Sequence, residues 1–503
     1  MRFPRASGVL LHPTSLPGPH GSGDCGPAAY HFVDWLVSAG QSLWQILPLT
    51  AIGAGNSPYS GSSAFAGNAL LIDLAELQQQ GWLDAGELEP VDGLRHERVD
   101  YAAVRPYRMQ RLERAAQRFF ALPASDARRG DFDAFRERHA GWLADYGLFM
   151  ALDELHPRSG WCGWPAALAR REPAALAQAA QTHAARIGFW CFVQWCFYRQ
   201  WLRLRDYANQ RGVQIVGDLP IFIAHHSAEV WAHQSLFELG PDGMPTVVAG
   251  VPPDFFSATG QRWGNPLYRW PVHARSGYAW WVQRMRLAFE LVDIVRIDHF
   301  RGFAGYWEIP ASEATAVHGR WRDGPGAALF KAINAALGPM PIIAEDLGLI
   351  TPDVAALRRR FSFPGMRILQ FAFGGEASNT FLPHHHECDS VVYPGTHDND
   401  TSVGWWAAAG EHEREFARAY LDTGGADIAW TLIRAACASV ADTAIYAMQD
   451  VLALPTEARM NFPGQANGWW QWRMHWSQVH DWHAQRLHEL CRLYGRLPRA
   501  ETA

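Results

Sequence analysis

The chain has 503 residues, with 44 Lys and Arg against 50 Asp and Glu, a formal net charge of −6 that argues against a nucleic-acid partner. With 48% apolar and 19% charged residues, the composition lies far from that of a disordered chain and has material for a large core. A mean hydropathy of −0.17, the lack of a run near the ~18 apolar residues of a spanning helix, and a start without the basic-then-apolar order of a signal peptide predict a cytoplasmic protein without membrane contact. Seven scattered cysteines without CxxC pairs read as free thiols, not as a disulfide framework or zinc site. Trp, at 24, outnumbers both Tyr at 14 and Met at 10, so the indoles must serve a core or a groove.

Eight short apolar or β-branched runs follow in chain order: Gly8 to His12, Leu43 to Leu47, Val213 to Val216, Asp293 to Ile297, Pro341 to Ala344, Met366 to Phe371, Ser390 to Tyr393 and Ala444 to Met448. Runs apolar on both faces indicate parallel strands, which need helical crossovers. One such helix starts at Pro27, carries Tyr30, Phe32, Val33, Leu36 and Val37, and stops at Gly40; another is opened by Thr351-Pro352 and carries Val354, Leu357 and Phe361. Eight strand–helix units predict a single (β/α)₈ barrel over 1–503, with insertions around its C-terminal face. The stretch 71–211 between the second and third strands reads as a helix-rich insertion. The stretch 227–291 between the third and fourth reads as a loop-like, aromatic insertion of the kind that carries function.

Barrel chemistry sits at the C-terminal ends of strands. Four ends here carry acids: Asp218, Asp298, Glu345-Asp346 and Asp398 to Asp400. Any one could cap the helix that follows; four together suggest a common mouth. They could bind a divalent metal or cleave a glycosidic bond. Arg296 lies two residues before Asp298 and shares its face, which favours an ionised carboxylate. Glu345 follows Pro-Ile-Ile-Ala, an apolar strand that desolvates it. An ionised acid facing one with a raised pKa is the arrangement of a retaining glycosidase.

These segments, together with Gly8-Val-Leu-Leu-His-Pro-Thr-Ser-Leu-Pro-Gly18, Ser57-Pro-Tyr-Ser60, Ser63-Ala-Phe-Ala-Gly-Asn68, Val248-Ala-Gly-Val-Pro-Pro-Asp254, Gly260-Gln-Arg-Trp-Gly-Asn-Pro-Leu-Tyr268, Val295-Arg-Ile-Asp-His-Phe-Arg-Gly-Phe303 and Gly395-Thr-His-Asp-Asn-Asp-Thr401, resemble the amylomaltases, or 4-α-glucanotransferases, relatives of the α-amylase barrels. The likeness spans nearly the whole chain. It implies Asp298 as nucleophile, Glu345 as general acid/base and Asp398 as the carboxylate that holds the distorted ring. It further implies that Arg296, Asp218, His299 and His397 hydrogen-bond the sugar, that Ser57 and Tyr59 bind it, Tyr59 stacking beneath it, and that Gln261, Trp263, Asn265, Pro266, Phe255 and Phe256 border the acceptor side. No metal or organic cofactor is implied, and the partners are α-1,4-glucans: malto-oligosaccharides, amylose or glycogen. The assembly would be a monomer or homodimer. The chain departs from the family pattern at Trp469, where an Asn is usual, at His226, where an acid is commoner, and at Ala54, where some members carry an aromatic.

Blander readings cover other features. Trp190, Trp195, Phe197, Tyr198 and Trp201 recur at helical spacing and belong to a helix core, whereas Trp263, between Arg262 and Gly264 on a loop, should face ligand. His384 to His386 should be a solvated loop, Asp400 a cap and Cys25 inert packing. The activity expected is α-1,4-glucan transfer by double displacement, with the catalytic carboxyls about 5–5.5 Å apart and the 251–266 loop excluding water. The alternatives are an α-amylase-like hydrolase and a non-catalytic glucan-binding protein.

Overall fold

The computed structural model describes residues 3–498 except 90, 92, 95, 96, 158 and 254–256. Its strands are β1 (Ala6–Leu10), β2 (Leu43–Gln45), β3 (Gln214–Pro220), β4 (Val247–Val251), β5 (Gln261–Pro266), β6 (Ile294–Asp298), β7 (Gly305–Pro310), β8 (Arg320–Asp323), β9 (Ile342–Ala344), β10 (Gly365–Ile368), β11 (Ser390–Tyr393) and β12 (Thr443–Ala447). Eight form one sheet in the order β10-β11-β12-β1-β2-β3-β6-β9, with every ladder parallel. Spatial order is therefore chain order, and the ring closes where Ala344 N–H donates to Pro364 O at 2.9 Å and Met366 N–H to Asp346 Oδ1 at 2.7 Å. Gly365 is needed at this seam, because a Cβ there would lie 2.3 Å from the Asp346 carboxylate. The fold is a (β/α)₈ barrel.

Helices Pro27–Ser38, Ala184–Gln210, Ala279–Leu291, Ala327–Leu337, Pro352–Arg360 and Ile428–Ala438 make the crossovers. The sixth connection departs from expectation: it holds 3₁₀ turns at Leu369–Phe371 and Pro383–His385 and no α-helix, since Gly374-Gly375 and Pro383 interrupt any helical run. Thr351 precedes its helix without a side-chain cap bond, leaving Pro352 at the first turn as the start signal.

Residues 227–291 are not loop-like throughout. They hold β4 and β5, which join β7 and β8 in an antiparallel sheet of order β5-β4-β7-β8. The glycines and prolines around 250–266 hid the alternation that marks such strands. Between β2 and β3 the long helices are Tyr101–Phe120, Ala127–Arg138, Ala140–Leu155 and Ala184–Gln210. Trp190, Trp195, Phe197, Tyr198 and Trp201 are all buried on the last of these, with Trp195 5.1 Å from Phe119 and 5.7 Å from Trp82. All seven cysteines are free, and burial pushes the Cys25 thiol up. No described helix is long and apolar enough to cross a membrane.

At the barrel floor, fully buried Arg496 donates to Ala6 O, Ala436 O, Cys437 O, Ser439 O, Ala441 O and Asp442 O, joining β1, the C-terminus of helix Ile428–Ala438 and the start of β12. A cation at a helix C-terminus that satisfies orphan carbonyls is favourable. Arg5 still donates to Cys437 O and Ala441 O, and Ala6 N–H to Asp442 O, so Arg496→Ala strips chiefly Ala436 O and Ser439 O, and at ~1–3 kcal/mol for each the loss should reach about 2 kcal/mol or more. The urea midpoint should fall clearly, and an unchanged midpoint would show the carbonyls to be satisfied without it.

Candidate active site

Register brings the acids together. In the β3–β6 ladder Asp218 pairs with Arg296 and Pro220 with Asp298; in the β6–β9 ladder Ile297 pairs with Ala344, so Glu345 follows directly alongside Asp298. Neighbouring strands run ~4.8 Å apart, which makes these carboxyls immediate neighbours at the barrel mouth. Arg296 and Asp298, two apart, point to one face.

Arg296 binds both sides. Its Nη1 donates to Asp218 Oδ1 and Oδ2, each at 2.7 Å, and its Nη2 to Asp298 Oδ1 at 3.0 Å. Tyr59 OH donates to Asp218 Oδ2 at 2.7 Å and lies 2.8 Å from His397 Nε2. That phenol has one proton, given to Asp218, so the 2.8 Å contact is Nε2–H of His397 donating to Tyr59. His397 Nε2 is also 3.4 Å from Asp398 Oδ1, which accepts from Asn461 Nδ2 at 2.6 Å. Glu345 accepts His299 N–H on Oε2 and Leu347 N–H on Oε1, both at 2.7 Å. His299 has φ 52°, a left-handed conformation costly for a side-chain-bearing residue, and the Glu345 carboxylate holds it.

Burial pushes the Glu345 carboxyl up to about 8, and the neighbouring Asp298 charge adds to the rise. Burial also raises Asp298, to about 6, against the pull of Arg296. The shared proton therefore sits on Glu345 and the negative charge on Asp298. Burial lowers His299 to about 3, so its ring is neutral. The Tyr59 phenol is raised by burial and Asp218, which keeps it a donor.

The remaining predicted residues divide into groups. Asp218 has a side chain without exposed surface, with its oxygens committed to Arg296 and Tyr59, and Arg296 is 3% exposed. In this arrangement the Arg296 guanidinium lies between Asp218 and Asp298. Ser57 accepts Tyr59 N–H at 3.2 Å and so orients the Tyr59 turn. Trp263 is 38% exposed on β5, edge-on to His299 at 4.8 Å, with its Nε1–H on Gln261 Oε1 at 3.1 Å. On the same strand Asn265 is half-buried and Pro266 buried. Phe255 and Phe256 lie outside the described residues. The indole beside Tyr59 and His397 is Trp470, at 5.7 and 5.9 Å, whereas Trp469 packs 5.9 Å from Phe462. His226 pairs with Asp153 at 2.7 Å, and Ala54 is exposed. Asp400 accepts Thr401 N–H and Thr456 Oγ1–H but does not cap the helix that follows, whose N-cap is Thr401, with its Oγ1 accepting Gly404 N–H.

His384, His385 and His386 bond separately to Tyr420, Ala377 O and the Ser439–Phe381 pair. His386 is buried, so this segment is not wholly a solvated loop. Sequence reasoning missed Asn461 and Arg459, whose Nη2 donates to Asp398 O at 2.6 Å; the Asn-Phe-Pro-Gly turn at 461–464 was the available signal.

A barrel whose strand ends bring Asp218 and Asp298 onto Arg296, with Glu345 alongside, has the mouth of a carbohydrate-active enzyme. The 4-alpha-glucanotransferase family matches residues 11–479. Over 505 residues the chain is 50% identical to a 4-alpha-glucanotransferase of Thermus thermophilus, covering 99% of this chain and 100% of that one, and it is 46% identical to one of Synechocystis, covering 98% of each. A solved amylomaltase from Streptococcus agalactiae in complex with acarbose superposes with TM-score 0.95 at 40% identity, covering 98% of this chain and 100% of that one. The chain belongs to the 4-alpha-glucanotransferase family. Its activity is 4-α-glucan transfer, and the hydrolase and binding-protein alternatives are not favoured.

The raised carboxyls carry a stability consequence. A folded-state pKa above the unfolded value means that the folded chain binds the proton more tightly, so stability is lost as pH rises from about 4.5 through about 8. Glu345→Gln abolishes that loss. Its melting temperature should exceed that of the unsubstituted protein at pH 8, with the gap closing towards pH 5; a gap independent of pH would refute the raised Glu345 carboxyl.

Proposed function

We propose that the transfer runs as a retaining double displacement. Glu345 gives its proton to the leaving glycosidic oxygen while an Asp298 oxygen attacks the anomeric carbon, forming a β-linked glucosyl-enzyme. The 4-hydroxyl of an acceptor glucan, deprotonated by Glu345, then displaces Asp298 with net retention. The observation that carries this reading is the asymmetry of the pair: Arg296 bonds to Asp298, while burial beside the Asp298 charge leaves Glu345 the higher proton affinity against the pull of two backbone N–H groups. Asp398, held by Asn461 and Arg459, grips hydroxyls of the distorted ring, Tyr59 stacks beneath it, and His299 and His397 border it.

Transfer exceeds hydrolysis when the acceptor side holds a sugar better than water. Trp263, oriented by Gln261 and half-exposed beside His299, supplies an apolar face matched to the C–H face of glucose. Donors and acceptors are malto-oligosaccharides and the outer chains of amylose, starch or glycogen, in accord with the acarbose-bound relative. Seven free cysteines support a reducing, cytoplasmic location.

Incubation with maltotriose should give glucose and longer oligomers without a net rise in reducing ends; a rise would mean hydrolysis, and intact sugar a mere binder. Asp298→Ala should lower turnover by about 10³ or more, with retained turnover overturning the assignment. With Asp298 ionised and Glu345 protonated as the working state, the rate should climb through about pH 6 and fall through about pH 8. Trp263→Ala should raise the hydrolysis-to-transfer ratio several-fold, and an unchanged ratio would remove Trp263 from acceptor binding.

A further inference from the structure

Behind His397 lies a small cavity of about 20 Å³, lined among others by His12 and Ser15 after β1, Thr396 and His397 after β11, and Asp450 after β12. Three buried polar atoms of its lining residues find no hydrogen-bond partner among the described residues: His12 Nδ1, Ser15 Oγ and His397 Nδ1. A volume of this size holds one water, which typically makes about three hydrogen bonds to buried polar groups.

We propose that this cavity binds one ordered water that joins His12 to His397, and that His12 is thereby a positioning residue for glucan transfer. The inference rests on the reading of Asp298 and Glu345 given above. In the tautomer that donates Nε2–H to Tyr59, the buried Nδ1 of His397 is an acceptor. Burial, with His397 close by, lowers His12 to about 3, so His12 is neutral as well and offers an acceptor. The water donates one O–H to each Nδ1 and accepts from Ser15 Oγ–H. With its two O–H bonds given to the two Nδ1 atoms, the water leaves His397 Nδ1 an acceptor and its ring proton on Nε2, aimed at Tyr59.

The result is one hydrogen-bonded chain. It runs from His12 through the water, His397 and Tyr59 to Asp218, and then through Arg296 to Asp298. His12 touches neither acid, yet the chain sets the orientation of the phenol under the reacting sugar and of the guanidinium on Asp298. Hydrogen bonds in such networks polarise one another.

Two measurements test this. A crystal structure at high resolution should show one water within hydrogen-bond distance of both Nδ1 atoms; an unfilled cavity, or a direct contact between the two rings, overturns the proposal. In the maltotriose assay His12→Asn, whose amide carbonyl can take the Nδ1 position, should keep kcat within about threefold. His12→Leu should lose kcat tenfold or more with KM within twofold. Equal losses in both variants would reduce His12 to packing, and equal activity in both would leave the water without a role. Either result overturns the proposal while the unsubstituted enzyme still disproportionates, so its failure is distinct from failure of the reading of the acids. Should His12→Leu fail to fold, His12→Gln, with its amide displaced from the Nδ1 position, takes its place with the same expected loss.

Discussion

One buried guanidinium organises this molecule. Arg296 lies between Asp218 and Asp298 and is almost wholly shielded from water. A single positive charge against two carboxylates leaves one negative charge, which settles on Asp298 at the mouth. A third carboxylate one strand away then meets that charge: at ~4.8 Å and an effective dielectric near 20 the repulsion is about 3.5 kcal/mol, enough to move proton binding by two to three orders of magnitude. Burial acts in the same direction. Glu345 holds its proton because it is buried and because the charge left on Asp298 lies beside it.

The barrel exists, in this view, to make that arrangement rigid. Parallel ladders fix Asp218 against Arg296 and bring Glu345 in beside Asp298 with little freedom to relax. The loops add the polar shell: the Tyr59 turn capped by Ser57, the Asn461–Arg459 segment under Asp398, and the left-handed His299 whose N–H anchors Glu345. A pre-oriented shell costs no reorganisation when charge develops during reaction. The same arrangement lowers stability near neutral pH, because two desolvated carboxyls are easier to ionise in the unfolded chain, a common trade between activity and stability.

The tryptophan excess resolves into distinct uses. Most indoles pack helices against the barrel, as Trp195 and Trp201 do on Ala184–Gln210. Trp263 stands half-exposed at the mouth, and Trp470 forms part of the wall behind Tyr59. Trp470, not Trp469, occupies that place because its φ of 66° turns the chain, so that its N–H meets Met460 O while its ring faces inward.

Much was legible in the chain order alone. Eight apolar runs with acids at their ends, and the spacing of Arg296 to Asp298, follow from local rules: apolar strands bury on both faces, and residues two apart share a side. The small antiparallel sheet was not legible, because glycines and prolines around 250–266 obscure strand alternation and β4 finds its partners in β5 and the distant β7. Nor was the place of Asn461, Arg459 and His12, since each depends on which side chains fill a shared space. The sequence by itself determined the barrel and the identity of its acids. Only the tertiary structure decided which side chains hold those acids, Tyr59 on Asp218 and the Asn461–Arg459 segment on Asp398, because loop packing and register, not chain order, bring them close.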